Sequence, residues 1–178
     1  MNVICISGKA QHGKDTSANL IREELEAQGK SVLITHYADL LKYICRVFFQ
    51  WNGEKDDTGR KILQYVGTDI VRKKRPDFWV GFLVDVLTLF PDEWDYVLIP
   101  DCRFPNEIEA MRNAGFDATH LRIVRPNFES PLSEEQQKHL SETALDGYPA
   151  DRMILNNGTI QDLKAKLSEW LYWFGGRE

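Results

Sequence analysis

The chain opens with a short, continuously apolar run, Val3 to Ser7, that enters a glycine-bounded loop. A run apolar at every position, rather than at every second one, predicts a strand buried on both faces of a parallel sheet. From Lys14 the pattern becomes helical, with Ala18, Ile21 and Leu25 on one face and Gly29 as the stop. Ser31 to His36 is a predicted second strand, and Asp39 to about Trp51 a helix that buries most of Leu41, Ile44, Cys45, Phe48 and Phe49. The polar stretch 52–59 is a predicted loop. A helix from near Thr58 carries Ile62, Val66 and Ile70 at four-residue spacing. Pro76 interrupts it, and Asp77 stands where it can cap a further helix through Phe90.

Tyr96 to Pro100 is a compact apolar strand that ends in Asp101. Pro105 and Gly115 frame a short helix, and Thr119 to Val124 is a fourth strand. The polar segment Arg125 to Asp151 contains Pro126, Pro131 and Pro149 and is long for a plain connection; segments of this length are usually functional or disordered. Met153 to Leu155 is a weak fifth strand, before a closing helix, Thr159 to Phe174, with Ile160, Leu163, Leu167, Trp170 and Leu171 inward. Strand alternating with helix predicts an α/β fold with a parallel sheet and right-handed crossovers. There is no repeat and no linker, so residues 1–178 are expected to form one domain.

A mass of 20.6 kDa suits that single domain and its core. The net charge of -5 and pI near 5.4 argue against a large face for nucleic acid polymer, but nucleotide binding needs only a local cluster of cations. No apolar run approaches the roughly 20 residues that span a bilayer, so no membrane association is expected. Met1 to Gly8 is too short for a secretory leader and lacks its basic start. Cys5, Cys45 and Cys102 stand far apart without metal-ligand spacing, and are read as reduced, mostly buried thiols of a cytoplasmic protein.

The strongest chemical signal is Gly8-Lys9-Ala10-Gln11-His12-Gly13-Lys14-Asp15-Thr16, which follows a strand and opens a helix, as a P-loop (Walker A) requires. Gly8 and Gly13 let the backbone wrap an anion so that successive amides converge. The amino end of the helix adds its positive dipole, and Lys14 reaches the β- and γ-phosphates. His12 is expected to contribute backbone only. Asp15 stands where Ser or Thr usually binds Mg²⁺. Thr16 cannot replace it, because one step along a helix rotates a side chain by roughly 100°. Asp15 is therefore read either as a Mg²⁺ ligand, directly or through water, or as a carboxylate complementing the helix dipole. Thr16 is assigned to the α-phosphate.

A P-loop alone names no function. The absence of an Asn-Lys-x-Asp guanine-reading motif argues against a GTPase, and the chain is short for a motor. Asp101, at the carboxyl end of a buried strand, is placed to hold the Mg²⁺ hydration shell or to orient an acceptor phosphate. Arg103, two residues on, can fork onto a phosphate. Glu107 and Glu109 are expected to be solvated on the next helix.

Further blocks follow in order: Tyr37-Ala38-Asp39-Leu40-Leu41-Lys42, Leu63-Gln64-Tyr65-Val66-Gly67-Thr68-Asp69, Phe78-Trp79-Val80, Pro100-Asp101-Cys102-Arg103-Phe104-Pro105-Asn106-Glu107, Val124-Arg125-Pro126, His139-Leu140-Ser141-Glu142-Thr143-Ala144-Leu145 and Asn156-Asn157-Gly158-Thr159. With Gly13-Lys14-Asp15-Thr16 they resemble the phage-type deoxynucleoside monophosphate kinases over nearly the whole chain. The resemblance implies a P-loop three-layer sandwich: a five-stranded parallel sheet of nucleoside monophosphate kinase type, a helical acceptor-binding region at 37–90 and a lid at 126–150.

It further implies ATP and Mg²⁺ as cofactors, nucleotides as small-molecule partners, and the host cytoplasm as location if a phage encodes the chain. Within 37–90 the candidate contacts are Asp39, Lys42, Arg60, Gln64, Arg72 and Trp79. Lys42 or Arg72 would hold the acceptor phosphate and Gln64 or Asp39 would read base or sugar, with core packing the competing reading for Trp79. Arg125 and Arg152 are candidate phosphate clamps at the lid's two ends. Between them stands only Lys138, where adenylate kinases carry several arginines. His139, Ser141 and Glu142 match the family without a derivable role; His139 is either a lid anchor or a surface histidine. Phe48, Phe49 and Trp51 would serve a homodimer if exposed and the core if not. Two rival readings stay open: a kinase of another phosphorylated metabolite, such as phosphomevalonate, and a non-catalytic nucleotide sensor.

Overall fold

The computed structural model describes residues 1–54 and 56–175; Lys55, inside the expected 52–59 loop, lies outside them. The strands are β1 (Asn2–Ser7), β2 (Val32–Ile34), β3 (Tyr96–Cys102), β4 (Asp117–Val124) and β5 (Arg152–Leu155). They form one sheet in the order β2-β3-β1-β4-β5, parallel throughout. The helices are α1 (Lys14–Ala27), α2 (Ala38–Phe49), α3 (Asp57–Gln64), α4 (Phe78–Leu89), α5 (Pro105–Asn113), α6 (Glu134–Lys138), α7 (Leu140–Thr143) and α8 (Ile160–Gly175). A π-helical stretch, Tyr65–Arg72, continues α3.

Alternation along β1 explains the layers. Ile4 and Ile6 pack with α1 and α8 through Ile21, Leu25, Leu163 and Leu167, whereas Val3 and Cys5 pack with α4 and α5 through Val80, Leu87, Ile108 and Met111. Both faces are covered, which is why β1 is apolar at every position from Val3 to Ile6. The helices of 38–72 carry a separate small core of Cys45, Trp51 and Val66. All three cysteines are free and buried. Among the described residues no helix is long and apolar enough to cross a membrane.

Several local expectations change. The second strand covers only 32–34, since it sits at the sheet edge and pairs with β3 alone. Phe48 and Phe49 are exposed at 71% and 47%, while Trp51 is buried, its indole donating to Glu54 O at 2.8 Å. Ile160 is exposed. Asp77 precedes α4 without a capping bond; it accepts instead from Asn106 Nδ2 at 2.8 Å.

Pro100 lies within a central strand, where the missing amide would break the ladder. The register shows how it is accommodated. Cys5 pairs with Ile99 but Ser7 with Cys102, so β3 carries one residue more than β1 across this interval. The bulge removes the need for an amide at Pro100 and turns Asp101 at the carboxyl edge of the sheet.

Candidate active site

Gly8 and Gly13 adopt φ of 152° and 97°, conformations that residues with side chains rarely take. A Cβ on Gly13 would stand 2.8 Å from Asn156 Nδ2, and one on Gly8 would run into Ile123 O. Asn156, just past β5, donates from Nδ2 to His12 O at 3.1 Å and so ties the loop to the sheet. Ser17 N makes the first helical bond, to Gly13 O at 2.8 Å; the amides of Lys14, Asp15 and Thr16 precede it at the anion-attracting end of α1. His12 is more than backbone: its Nδ1 accepts from Arg125 N at 3.2 Å, and its ring meets Phe128 edge-on at 6.1 Å. The Arg125 guanidinium lies 4.3 Å over the same Phe128 ring, outside the cleft described below.

Lys14 is 8% exposed, and its ammonium donates to Gly8 O at 2.8 Å and Lys9 O at 2.9 Å. Burial, and then the nearby Arg103, lower its pKa to about 8. Asp15 is exposed on the first turn of α1, as is Thr16. The Asp15 Oδ1 is 3.4 Å from His36 Nε2, and His36 Nδ1 is 3.3 Å from Asp39 Oδ2. The Asp15 contact foremost, with Asp101 and Asp39 nearby, raises the His36 pKa against the effect of its burial. Asp39 Oδ1 accepts from Lys42 Nζ at 2.8 Å. His36 escaped notice as a strand end; its place after β2, at the carboxyl edge where ligands bind, was the available signal.

Asp101 Oδ1 and Oδ2 accept from Tyr37 N and Ala38 N, each at 3.0 Å, and so anchor the amino end of α2. Arg103 reaches the 126–150 segment: it donates from Nη1 to Ser141 O at 2.9 Å and pairs with the Glu142 carboxylate, itself nearly buried. Lys9 donates to Glu142 O and to Asp146 Oδ1, both at 2.5 Å. Glu142 thus meets two cations, Arg103 through its carboxylate and Lys9 through its carbonyl oxygen. His139 Nδ1 caps α7 by accepting from Ser141 N at 3.2 Å, and Nε2 lies 3.9 Å from Asp69 Oδ1. Lys138 is exposed beside Glu134.

The expectation for Glu107 fails. It is 1% exposed, pairs with Arg72, and accepts from Arg103 N at 2.6 Å and Phe104 N at 3.0 Å. Burial pushes its carboxyl up to about 7 against those stabilising contacts. Its place three residues after Phe104, at a Pro-started helix, is the reason: a Glu there folds back onto the amides before the helix. Glu109 is exposed as expected. Trp79 is 3% exposed and donates from Nε1 to Gly67 O at 3.0 Å, in the π-helical stretch.

These elements enclose one cleft of about 400 Å³ at the carboxyl ends of β1 and β3. Ala10, Gln11, Lys14 and Asp15 line one wall; Lys42, Arg60, Gln64, Arg72 and Trp79 line the other, with Asp101 and Arg103 between and Ser141 and Glu142 above. Asp39 does not line it; its carboxylate is occupied with His36 and Lys42. Arg152 is not brought there either, and lies in a groove with Arg112, Trp170 and Trp173. Among the described residues no three acidic, His or Cys side chains form a metal cluster.

A phosphate loop at the switch point of a parallel five-stranded sheet, facing a helical insertion across a cleft, defines the chain as a P-loop kinase in fold. The solved APS kinase of Mycobacterium tuberculosis, in complex with AMPPNP and APS, shares it: 16% identity, TM-score 0.54, covering 96% of this chain and 97% of that one. The sequence profile of the family described as deoxynucleotide monophosphate kinase matches residues 31–167, and the chain belongs to that family. Relatives include the deoxynucleotide monophosphate kinases of Enterobacteria phage T4, 33% identical over 114 residues, and of Escherichia phage RB69, 30% identical over 114. Each match covers 63% of this chain and 44% of the relative, so the match takes in less than half of those proteins.

Proposed function

We propose that the chain transfers the terminal phosphoryl group of ATP to a deoxynucleoside monophosphate, directly and in line, without a covalent enzyme intermediate. One observation carries this reading. The buried Lys14 ammonium lines the 400 Å³ cleft on one side and the Arg72 guanidinium on the other, with Arg103 between them. An anion cradle facing a second cluster of cations suits two phosphorylated ligands meeting end to end, and phosphoryl transfer depends on such positioning and charge neutralisation.

The geometry supports the following roles. The curved backbone of residues 8–16 receives the triphosphate, and Lys14 moves from the carbonyls of Gly8 and Lys9 onto the β- and γ-phosphates. Arg72, Arg103 and Lys42 receive the acceptor phosphate, while Arg60 and Gln64, one helical turn apart on α3, face base and sugar. The acceptor is already ionised, so no general base is required.

The donor set fits Mg²⁺, which takes hard oxygens and is ordinarily held by one or two carboxylates together with substrate phosphates. Asp15 lines the cleft and would hold it, with Asp101 facing its water shell; when bound, the ion would neutralise phosphate charge. Residues 126–150 act as the lid that excludes water.

The test is a turnover and thermal-shift screen of ATP and Mg²⁺ with the common ribo- and deoxyribonucleoside monophosphates. ADP formation that depends on one or more deoxynucleoside monophosphates is expected. ATP binding without ADP release on any acceptor would replace this reading with a nucleotide sensor.

A further inference from the structure

Glu107 is a fully enclosed carboxylate at the edge of a cleft built for anions. Such a charge is tolerated only where both oxygens are met. Oε1 pairs with the Arg72 guanidinium, and Oε2 accepts the amides of Arg103 and Phe104. The Phe104 ring then forms the platform 3.8 Å from the Arg72 guanidinium carbon. Through its own carbonyl oxygen Glu107 also receives Tyr37 Oη–H at 2.6 Å.

One residue therefore fixes two cations of the cleft, Arg72 through its guanidinium and Arg103 through its backbone. The other contacts of Arg72, from Nη1 to Pro76 O and Asn106 Oδ1, are both 3.4 Å, near the outer limit of a hydrogen bond. Without Glu107 the guanidinium keeps only the face of Phe104 and these two long contacts.

Resting on the phosphoryl-transfer reading above, we propose that Glu107 is a positioning residue for the acceptor phosphate. It holds Arg72 and the Arg103 turn in the arrangement that receives a monophosphate dianion, and itself touches no substrate. A purely local role at the start of α5 would be filled equally by glutamine, which serves at this position in capping boxes. Only the contact with Arg72 needs the negative charge, because an uncharged amide neither balances the guanidinium nor offers it a carboxylate's acceptor geometry.

The experiment compares Glu107→Gln, Arg72→Gln and the double variant, with KM for ATP and for the deoxynucleoside monophosphate measured separately. Glu107→Gln is expected to raise the acceptor KM at least tenfold and leave the ATP KM within twofold. In the double variant the acceptor KM should match that of Arg72→Gln alone, since Glu107 acts through that arginine. An unchanged acceptor KM in Glu107→Gln, equal loss on both substrates, or losses that multiply in the double variant would overturn the assignment. Should Glu107→Gln not fold, the double variant, which leaves no uncompensated buried charge, is read against Arg72→Gln by the same criterion. A wild-type protein that neither turns over nor binds any deoxynucleoside monophosphate overturns the kinase reading and this assignment together. An active wild type with an indifferent Glu107→Gln overturns the assignment alone.

Discussion

His120 Nε2 lies 2.7 Å from Ser7 Oγ, and both side chains are closed off from solvent. The other ring nitrogen, Nδ1, faces Pro149 O at 3.0 Å. A carbonyl oxygen only accepts, so Nδ1 carries the proton and Nε2 accepts from the Ser7 hydroxyl. Burial favours this neutral ring by lowering its pKa. The pair links the residue before Gly8 to the end of the 126–150 segment. His120→Phe strands the buried Ser7 hydroxyl, at a cost of about 1–3 kcal/mol. The expected loss is about 2 kcal/mol, read as a lower urea midpoint at constant slope. An unmoved midpoint would show that the link adds nothing.

Lys14→Ala should abolish transfer while the protein stays folded. The ammonium is proposed to follow the migrating charge, and loss of one such electrostatic contact ordinarily costs about 100-fold or more in kcat. Circular dichroism establishes the fold, and a coupled ADP assay the rate; an unaltered rate would remove Lys14 from the mechanism.

The same ammonium makes binding depend on pH. Its pKa of about 8 in the folded protein lies below the ordinary 10.5. Between those values the unfolded chain keeps a proton that the folded chain has lost, so nucleotide-free stability should rise from pH 8 toward 10.5. Phosphates favour the charged form, so nucleotide binding above pH 8 should take up a proton and weaken with rising pH. Calorimetry with a non-hydrolysable ATP analogue, in two buffers of different ionisation enthalpy, measures that uptake directly. None at pH 9 would show that Lys14 is still charged there.

Asp15→Asn separates the two readings of that carboxylate. If Asp15 holds Mg²⁺, the midpoint of the Mg²⁺ titration of turnover moves to higher concentration. An unchanged titration would leave Asp15 as a complement to the helix dipole and a partner of His36.

Arg103→Ala removes the cation paired with Glu142 and frees that carboxylate near the acceptor phosphate. The acceptor KM should rise or kcat fall, with ATP affinity unaltered. Equal loss of ATP binding would place Arg103 on the donor side.

The sheet and the phosphate loop were legible because their signals are local. A strand buried on both faces is apolar at every position, and a loop wrapped around an anion must carry glycine where Gly8 and Gly13 stand. The acceptor half was less legible. Tyr43, Val47, Phe48 and Phe49 make α2 apolar nearly all round, so periodicity could not choose the exposed face. Ile62, Val66 and Ile70 at four-residue spacing do not distinguish α- from π-helical turns.

Glu107 was misread because its capping place after Phe104 does not by itself reveal the second partner, Arg72, 35 positions away. Glu142 was opaque for the same reason, its partner being Arg103. Ser133 and Gln136, in contrast, form a capping pattern that could have revealed α6.

The surplus residue at the end of β3 also fixes where the molecule can bend. By turning Asp101 onto the amides of Tyr37 and Ala38, it rivets the base of the helical lobe to the central sheet. Any swing of that lobe would have to pivot beyond Ala38, which keeps Asp101 and the start of α2 in register with the sheet.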